Sequence, residues 1–278
     1  MHRRADANEV IFSGQCEPLK SSPDGIELRM FASSDCGAGG FSTGTATFRG
    51  GAELPCHLHN CAEAVTVLKG VAVAVVECRA YRLTPLDCLF IPAGYRHSVA
   101  NGTLDTAMLA HCSFSSAQPT RTFVDAPNLV IEDRGTGQPQ PADPEKLSRF
   151  SEMPVYELSN GTFFTDLFAK RLGALGICGG YGRFARGASL PCHFHEYDES
   201  ITILGGEAHC LVQGTSFHLN NLDTAFIPTG KPHRFLNQGD TEMAMIWVYA
   251  GDEPDRTIVG NDYCSGALCW PSEATVKP

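Results

Sequence analysis

The feature that most restricts this chain is a self-repeat at a fixed offset. Shifted by 136 residues, positions 51–101 lie over 187–237 without a gap, and 22 of the 51 positions are identical. Both copies open on Gly-Ala-x-Leu-Pro-Cys-His-x-His, from Gly51 and from Gly187. Both later carry Leu-Asp-x-x-Phe-Ile-Pro-x-Gly-x-x-His, from Leu86 and from Leu222. The likeness continues in Pro-x-Arg-Thr elements at 119–122 and 254–257, now at an offset of 135. A unit this long, present twice, is a duplicated domain, because solenoids need at least three short units.

The 278 residues accommodate two such units, expected over 1–130 and 153–278, with a linker over 131–152. The stretch 134–142 is rich in Gly and Pro and suits neither helix nor strand. After it, Asp143, Pro144 and Glu145 offer an N-cap, a first-turn proline and an early acid, so a short helix to about Phe150 is expected. Inside each unit the apolar segments are short, rich in Val, Ile, Thr and Phe, and punctuated by Gly, Pro, Asn or Asp. Segments 64–68, 71–78, 88–91 and 106–112 have counterparts at 200–204, 208–212, 224–227 and 243–249. This pattern predicts an all-β protein, a sandwich or barrel occurring twice.

Composition removes several function classes. Hydrophobic residues at 43% and charged residues at 19% are ordinary globular usage, so disorder is a poor reading. Twenty-one Lys plus Arg against 31 Asp plus Glu give a net charge of −10, and no basic stripe forms, which argues against nucleic acid. No apolar window reaches the length of a membrane span, and residues 1–9 are polar where a signal peptide needs an apolar stretch. A cytoplasmic protein follows as the expectation, with its twelve cysteines read as reduced thiols and no C-x2-C pair to suggest a zinc ribbon. The expected partner is a small-molecule substrate; a homodimer stays open.

The chemistry concentrates in two identical constellations. The first is His57, His59, Glu63 and His97; the second is His193, His195, Glu199 and His233. Residues i and i+2 of a strand share a face, so each His-x-His forms a two-imidazole clamp. Three imidazoles and one carboxylate suit Fe(II), Mn(II), Ni(II), Co(II) or Zn(II) and leave octahedral positions for water or substrate. A lone His-x-His on a strand is more often packed than ligating. Here six of the ten histidines fall into two sets with Gly and Pro in register, which chance does not produce.

These residues resemble the cupin superfamily, specifically a bicupin with two double-stranded β-helix (jelly-roll) barrels. The first cupin motif, G-x5-H-x-H-x3-E-x6-G, is met at 51–70 and 187–206, and the second is met at 92–101 and 228–237. The second motif's opening glycine is replaced by Leu86 and Leu222, which reads as a turn variation that leaves metal binding intact. The resemblance implies one divalent metal per barrel, two barrels packed like a single-domain cupin dimer, and several reaction classes. Dioxygenation of a small enolic, phenolic or dicarbonyl substrate with Fe(II) leads. The alternatives are a redox-neutral isomerase or lyase and a non-catalytic small-molecule sensor. In oxalate decarboxylases of this superfamily an arginine precedes the first motif histidine by three residues; here Leu54 and Leu190 stand there, which weakens a small diacid as substrate.

Further candidates are Tyr181 and Arg183, which replace Thr45 and Thr47 of the first copy. With Glu199 they are expected to make the second site the catalytic one. His209 replaces Val73, and Trp247 is aligned with His111 at the 136-residue offset. Tyr197 and Asp198 are expected either to gate the second site or to form its turn. Cys56 and Cys192 are read as buried, inert thiols, and the Pro-x-Arg-Thr elements as structural ties between barrels.

Overall fold

Period-two burial organises the strands: in Ala72–Val76 the residues Ala72, Ala74 and Val76 are buried while Val73 and Val75 are half-buried. In the computed structural model, which describes residues 8–14, 20–21, 25–127 and 130–270, such strands form two barrels, and residues 1–7 and Cys16 lie outside the described residues. Each barrel is a larger sheet facing a smaller one. In the first, the sheet 146–148, 88–91, 63–69, 108–114, 42–48, 26–30, 20–21 faces the sheet 121–123, 53–59, 97–101, 72–76, 79–83, 132–135. In the second, 224–227, 199–205, 243–249, 178–184, 162–168, 156–159 face 215–219, 208–212, 233–236, 193–194, 257–258. The all-β bicupin expectation holds.

The repeats exchange edge strands. Val10–Phe12 lies ahead of the first barrel but pairs with Thr224–Ile227 of the second, Val10 opposite Phe226. Lys146–Ser148 lies ahead of the second barrel but pairs with Cys88–Ile91 of the first, Lys146 opposite Phe90. The two exchanged strands are themselves 136 residues apart, so the repeat extends to a segment where no sequence likeness survives. This corrects the helix expected after Asp143: the chain there forms a strand and then a 3-10 turn at Phe150–Glu152. The edge of the barrel offers open hydrogen bonds that outweigh the local capping signals.

Between the barrels lies a third apolar core built from both halves. It includes Phe41, Ala64 and Phe90 of the first and Phe168, Phe226, Ile246 and Val248 of the second. Polar pairs cross it as well: Thr43 Oγ1 is 2.9 Å from Ser200 Oγ, and His111 Nε2 is 3.3 Å from Thr202 Oγ1. His111 is thus an interface residue. Burial pushes its pKa down to about 4. In the unfolded chain an imidazole binds its proton near pH 6.5, so between about pH 6.5 and 4 the unfolded state holds more protons and folding stability falls with pH. The His111 share of the loss across that window is about 3 kcal/mol, added to that of the buried ligand histidines, and His111→Gln removes it; urea titrations of both proteins at pH 7 and pH 4.5 measure the difference, and an equal loss in both would refute it.

A further expectation changes. The cysteines are not all thiols: Cys192 is disulfide-bonded to Cys264, tying the residue just ahead of strand His193–Phe194 to the short helix Asn261–Ser265. Cys264 lies beyond the repeat, 72 residues away, and nothing in the spacing marks the pair. Leu86 and Leu222 both adopt positive φ, 69° and 67°, at the turn where the motif has glycine. The turn survives because the next residue caps it: Asp87 accepts from Thr84 N at 2.9 Å and Asp223 from Asn220 N at 2.8 Å. Among the described residues no helix is long and apolar enough to cross a membrane.

Candidate metal centres

His57 and His59 project from strand Glu53–His59 into the first barrel, Glu63 from the next strand Glu63–Lys69, and His97 from His97–Asn101, where it lies directly opposite His57. One donor atom from each of the four lies within 4.8 Å of the others. Glu63 Oε2 is 3.0 Å from His97 Nε2 and 3.4 Å from His59 Nε2. In the second barrel His193, His195 and His233 meet the same 4.8 Å limit, and Glu199 Oε2 joins them at 2.7 Å from His233 Nε2 and 3.5 Å from His195 Nε2. All eight side chains are buried.

The turns lock these strands together. Gly94 N donates to the carbonyl of His59 at 2.9 Å and Gly230 N to that of His195 at 2.8 Å, so the proline-glycine turn of the second motif is bonded to the strand of the first. Both glycines have positive φ, 80° and 76°. Asn101 Nδ2 donates to Thr106 O at 2.7 Å and Asn237 Nδ2 to Thr241 O at 2.8 Å, closing the loop that follows each ligand strand.

Ring orientation is set from behind. Each ligand histidine places Nδ1 against a backbone carbonyl: His57 on Pro55 at 2.7 Å, His59 on Thr120 at 2.7 Å, His97 on Tyr95 at 2.9 Å. The second set repeats this: His193 on Pro191 at 2.8 Å, His195 on Asp255, His233 on Lys231 at 2.9 Å. A carbonyl accepts only, so Nδ1 carries the proton and every Nε2 lone pair points inward. Nε2 of His57, His59, His195 and His233 is buried without a hydrogen-bond partner, as is Glu199 Oε2. Such atoms are costly unless something satisfies them. A divalent cation fits both donor sets. Burial, with His97 next, pushes His57 down to about 3, and burial pushes His195 down to about 4, so both are neutral donors. Burial opposes ionisation of Glu63, but the imidazoles of His59 and His97 beside it hold its carboxyl well below the usual range.

The Pro-x-Arg-Thr elements have a role that the sequence reading missed. They do not bridge barrels. Arg121–Phe123 pairs with the ligand strand of its own barrel, Arg121 opposite His59, and Thr257–Ile258 does the same beside His193. Thr120 and Asp255 supply the carbonyls that orient the second histidine of each clamp. Their repetition in register was the available signal.

Other candidates lie elsewhere. In Cys178–Phe184 the inward positions include Gly180 and Gly182, so Tyr181 and Arg183 face outward, which removes them from the second site. Tyr181 packs on Phe150 at 5.3 Å between ring centroids. Arg183 sits over Phe163 and is 3.3 Å from Glu242. The pairing also corrects the alignment of His111 with Trp247. Both Ala110 and Met245 are inward, and the loop after Asn237 is one residue shorter, so Trp247 corresponds to Cys112 and His111 to Ile246. A one-residue slip exchanges the faces of a strand. His209 and His218 form an outer cross-strand pair 3.3 Å apart. Asp198 builds its turn, accepting from Thr229 N at 2.8 Å and from Gly39 N of the other barrel at 2.7 Å; Tyr197 donates to Glu253 O at 3.0 Å.

The two interiors differ in free space. Around the second centre Phe164, Phe235, Met245, Trp247 and Tyr249 fill the barrel, and a Cβ on Gly180 would come within 2.7 Å of Trp247. Tyr249 packs on His195 at 4.3 Å. In the first barrel the positions of Phe164, Met245 and Trp247 are held by Leu28, Ala110 and Cys112. A groove of about 460 Å³ there reaches His59 itself, past Leu28, Met30 and Phe114. The equivalent groove of the second barrel, about 430 Å³, is lined by Tyr156, Asp166, Arg171 and Arg256 and by no ligand.

A cupin-domain family model matches residues 44–112 and 180–249. No curated protein matches the sequence. Among solved structures the chain is similar to an oxalate decarboxylase of Lactobacillus farciminis in complex with formate, at 16% identity and a TM-score of 0.73, covering 90% of this chain and 88% of that one. It is also similar to the oxalate decarboxylase of Bacillus subtilis at pH 4.6, at 15% identity and a TM-score of 0.72, covering 92% and 80%. A further structure of the Bacillus subtilis enzyme, at 15% identity, a TM-score of 0.72 and coverage of 92% and 81%, concerns its Mn(II) centres. Two matched domains, each carrying a buried three-histidine, one-carboxylate cluster, place this chain in the cupin family as a metal-binding bicupin.

Proposed function

We propose that the chain is a metal-dependent dioxygenase acting on a small enolic, phenolic or dicarbonyl substrate, with the working centre in the first barrel. The observation that carries this reading is the groove that opens on His59. His57, His59, Glu63 and His97 would hold the ion. Fe(II) bound there supplies polarisation of a substrate oxygen and electrons for O2; Mn(II), Ni(II) or Zn(II) would supply polarisation. Leu28, Met30 and Phe114 give one side of the approach an apolar strip, facing polar residues that include Gln118 and Arg121, which suits a substrate with an apolar body and a polar end. Glu63, beside the cluster, would accept the proton of an enol or phenol hydroxyl made more acidic by the ion. The second centre, enclosed by aromatic side chains, would be structural or auxiliary, which reverses the asymmetry expected from sequence.

Elemental analysis of protein from metal-replete cells identifies the ion. Oxygen uptake by Fe(II)-loaded protein on a panel of enols, phenols and β-dicarbonyls tests the reaction, with one O2 consumed per product molecule as the expected stoichiometry. Product formed without oxygen consumption would replace this reading by a redox-neutral lyase.

A further inference from the structure

The groove at the first centre contains a cation that pairs with no acid among the described residues. Arg121 lies directly opposite His59 across two antiparallel strands, so the two side chains share the inward face. Its neighbour on that face, Phe123, is 6.1 Å from His57 between ring centroids and is 60% exposed, which puts the pair at the barrel mouth. Arg121 lines the groove together with His59, Leu28, Met30, Phe114 and Gln118. Its Nε is buried without a hydrogen-bond partner, and it forms no ion pair with any described residue. The exposed Asp35 also borders the groove and makes no salt bridge to it.

The duplicated barrel shows what such an arginine looks like when it is occupied by the protein itself. Arg256 is the counterpart, and its guanidinium sits over the Phe164 ring at 5.8 Å. The position of Phe164 is held by Leu28 in the first barrel, which offers no ring. Asp166, which lines the second mouth, is taken by Arg171, and Leu28's barrel has Met30 in its place. A planar fork left unpaired beside the strip of Leu28, Met30 and Phe114 matches a carboxylate with an apolar body, bound bidentately.

Resting on the first-barrel assignment above, we propose that Arg121 binds the carboxylate of the substrate, so that the substrate class is small monocarboxylic acids with an apolar or aryl body. Leu54 and Leu190, where the oxalate decarboxylases have an arginine, are packed into the barrel cores and leave this role to the opposite strand. The anion enters against Arg121 and the body lies along Leu28, Met30 and Phe114, which brings the rest of the molecule toward His59.

Isothermal titration of the metal-loaded chain with benzoate, phenylacetate and phenylpyruvate, and with benzamide and phenylacetamide as neutral counterparts, tests this. At least one carboxylate is expected to bind at least about tenfold tighter than its amide. Arg121→Met should remove that preference and Arg121→Lys should keep only part of it, because the charge remains without the fork. Arg256→Met should leave it unchanged. Equal binding by wild type and Arg121→Met, equal binding of acid and amide, or no carboxylate binding at all would overturn the assignment. Unchanged thermal melting of the two Arg121 variants separates a lost contact from a lost fold. Acid binding without oxygen uptake would sink the dioxygenase reading and leave Arg121 in place.

Discussion

Replacing His57 and His59 together by alanine is expected to remove about half of the bound metal and to lower turnover on the order of a hundredfold or more, since nothing else in the barrel supplies the ion's chemistry. The same change at His193 and His195 should remove the other half of the metal and leave turnover within about twofold. The two variants differ only in which barrel they empty, so the contrast isolates the open groove at His59 from the aromatic packing around His195. The fourfold variant should bind no metal; unchanged metal content in it would remove the site assignment. Activity lost with the second pair instead would return catalysis to the second barrel. Elemental analysis and oxygen uptake on the same preparations give both readouts.

The largest expected effect away from the metal centres is at Glu145. Its side chain is fully buried and accepts from Arg79 Nε at 2.6 Å, Arg79 Nη2 at 2.7 Å and Tyr81 Oη at 2.6 Å. It thereby fastens the inter-barrel connection to the wall of the first barrel, next to the exchanged strand Lys146–Ser148. Removing one partner of a buried pair strands the other: Tyr81 is itself fully buried, while Arg79 is partly exposed and keeps Asp143 at 3.5 Å. Glu145→Ala is therefore expected to cost about 3 kcal/mol, at the lower end for a broken buried pair. Protease cleavage within 134–143 should accelerate. The double variant Tyr81→Phe with Glu145→Met should recover much of the loss, because Arg79 keeps Asp143 and solvent and no buried hydroxyl is left without a partner. Urea unfolding measures all three, and an unchanged midpoint in Glu145→Ala would show that the connection is held elsewhere, with Arg149 on Asp87 at 2.9 Å as the remaining anchor.

The sequence by itself determined the duplication, the all-β class and the eight ligand positions. Those depend on local regularities: the i, i+2 geometry of His57 and His59, the fixed spacing to Glu63 and His97, and their recurrence 136 residues later. The tertiary structure decided everything that depends on which face a strand presents or which strand it meets. Tyr181 and Arg183 look well placed along the chain and point away from the metal, because inward glycines alternate with them. His111 looks equivalent to Trp247 until a one-residue difference in a loop exchanges their faces. Val10–Phe12 and Lys146–Ser148 share no sequence signal, since an exchanged edge strand is selected by the open hydrogen bonds of its acceptor sheet. The disulfide between Cys192 and Cys264 needed two distant segments brought within bonding reach. Access to the metal is the clearest case: Cys112 against Trp247 and Leu28 against Phe164 are unremarkable along the chain, and only their convergence inside a barrel opens one centre and encloses the other.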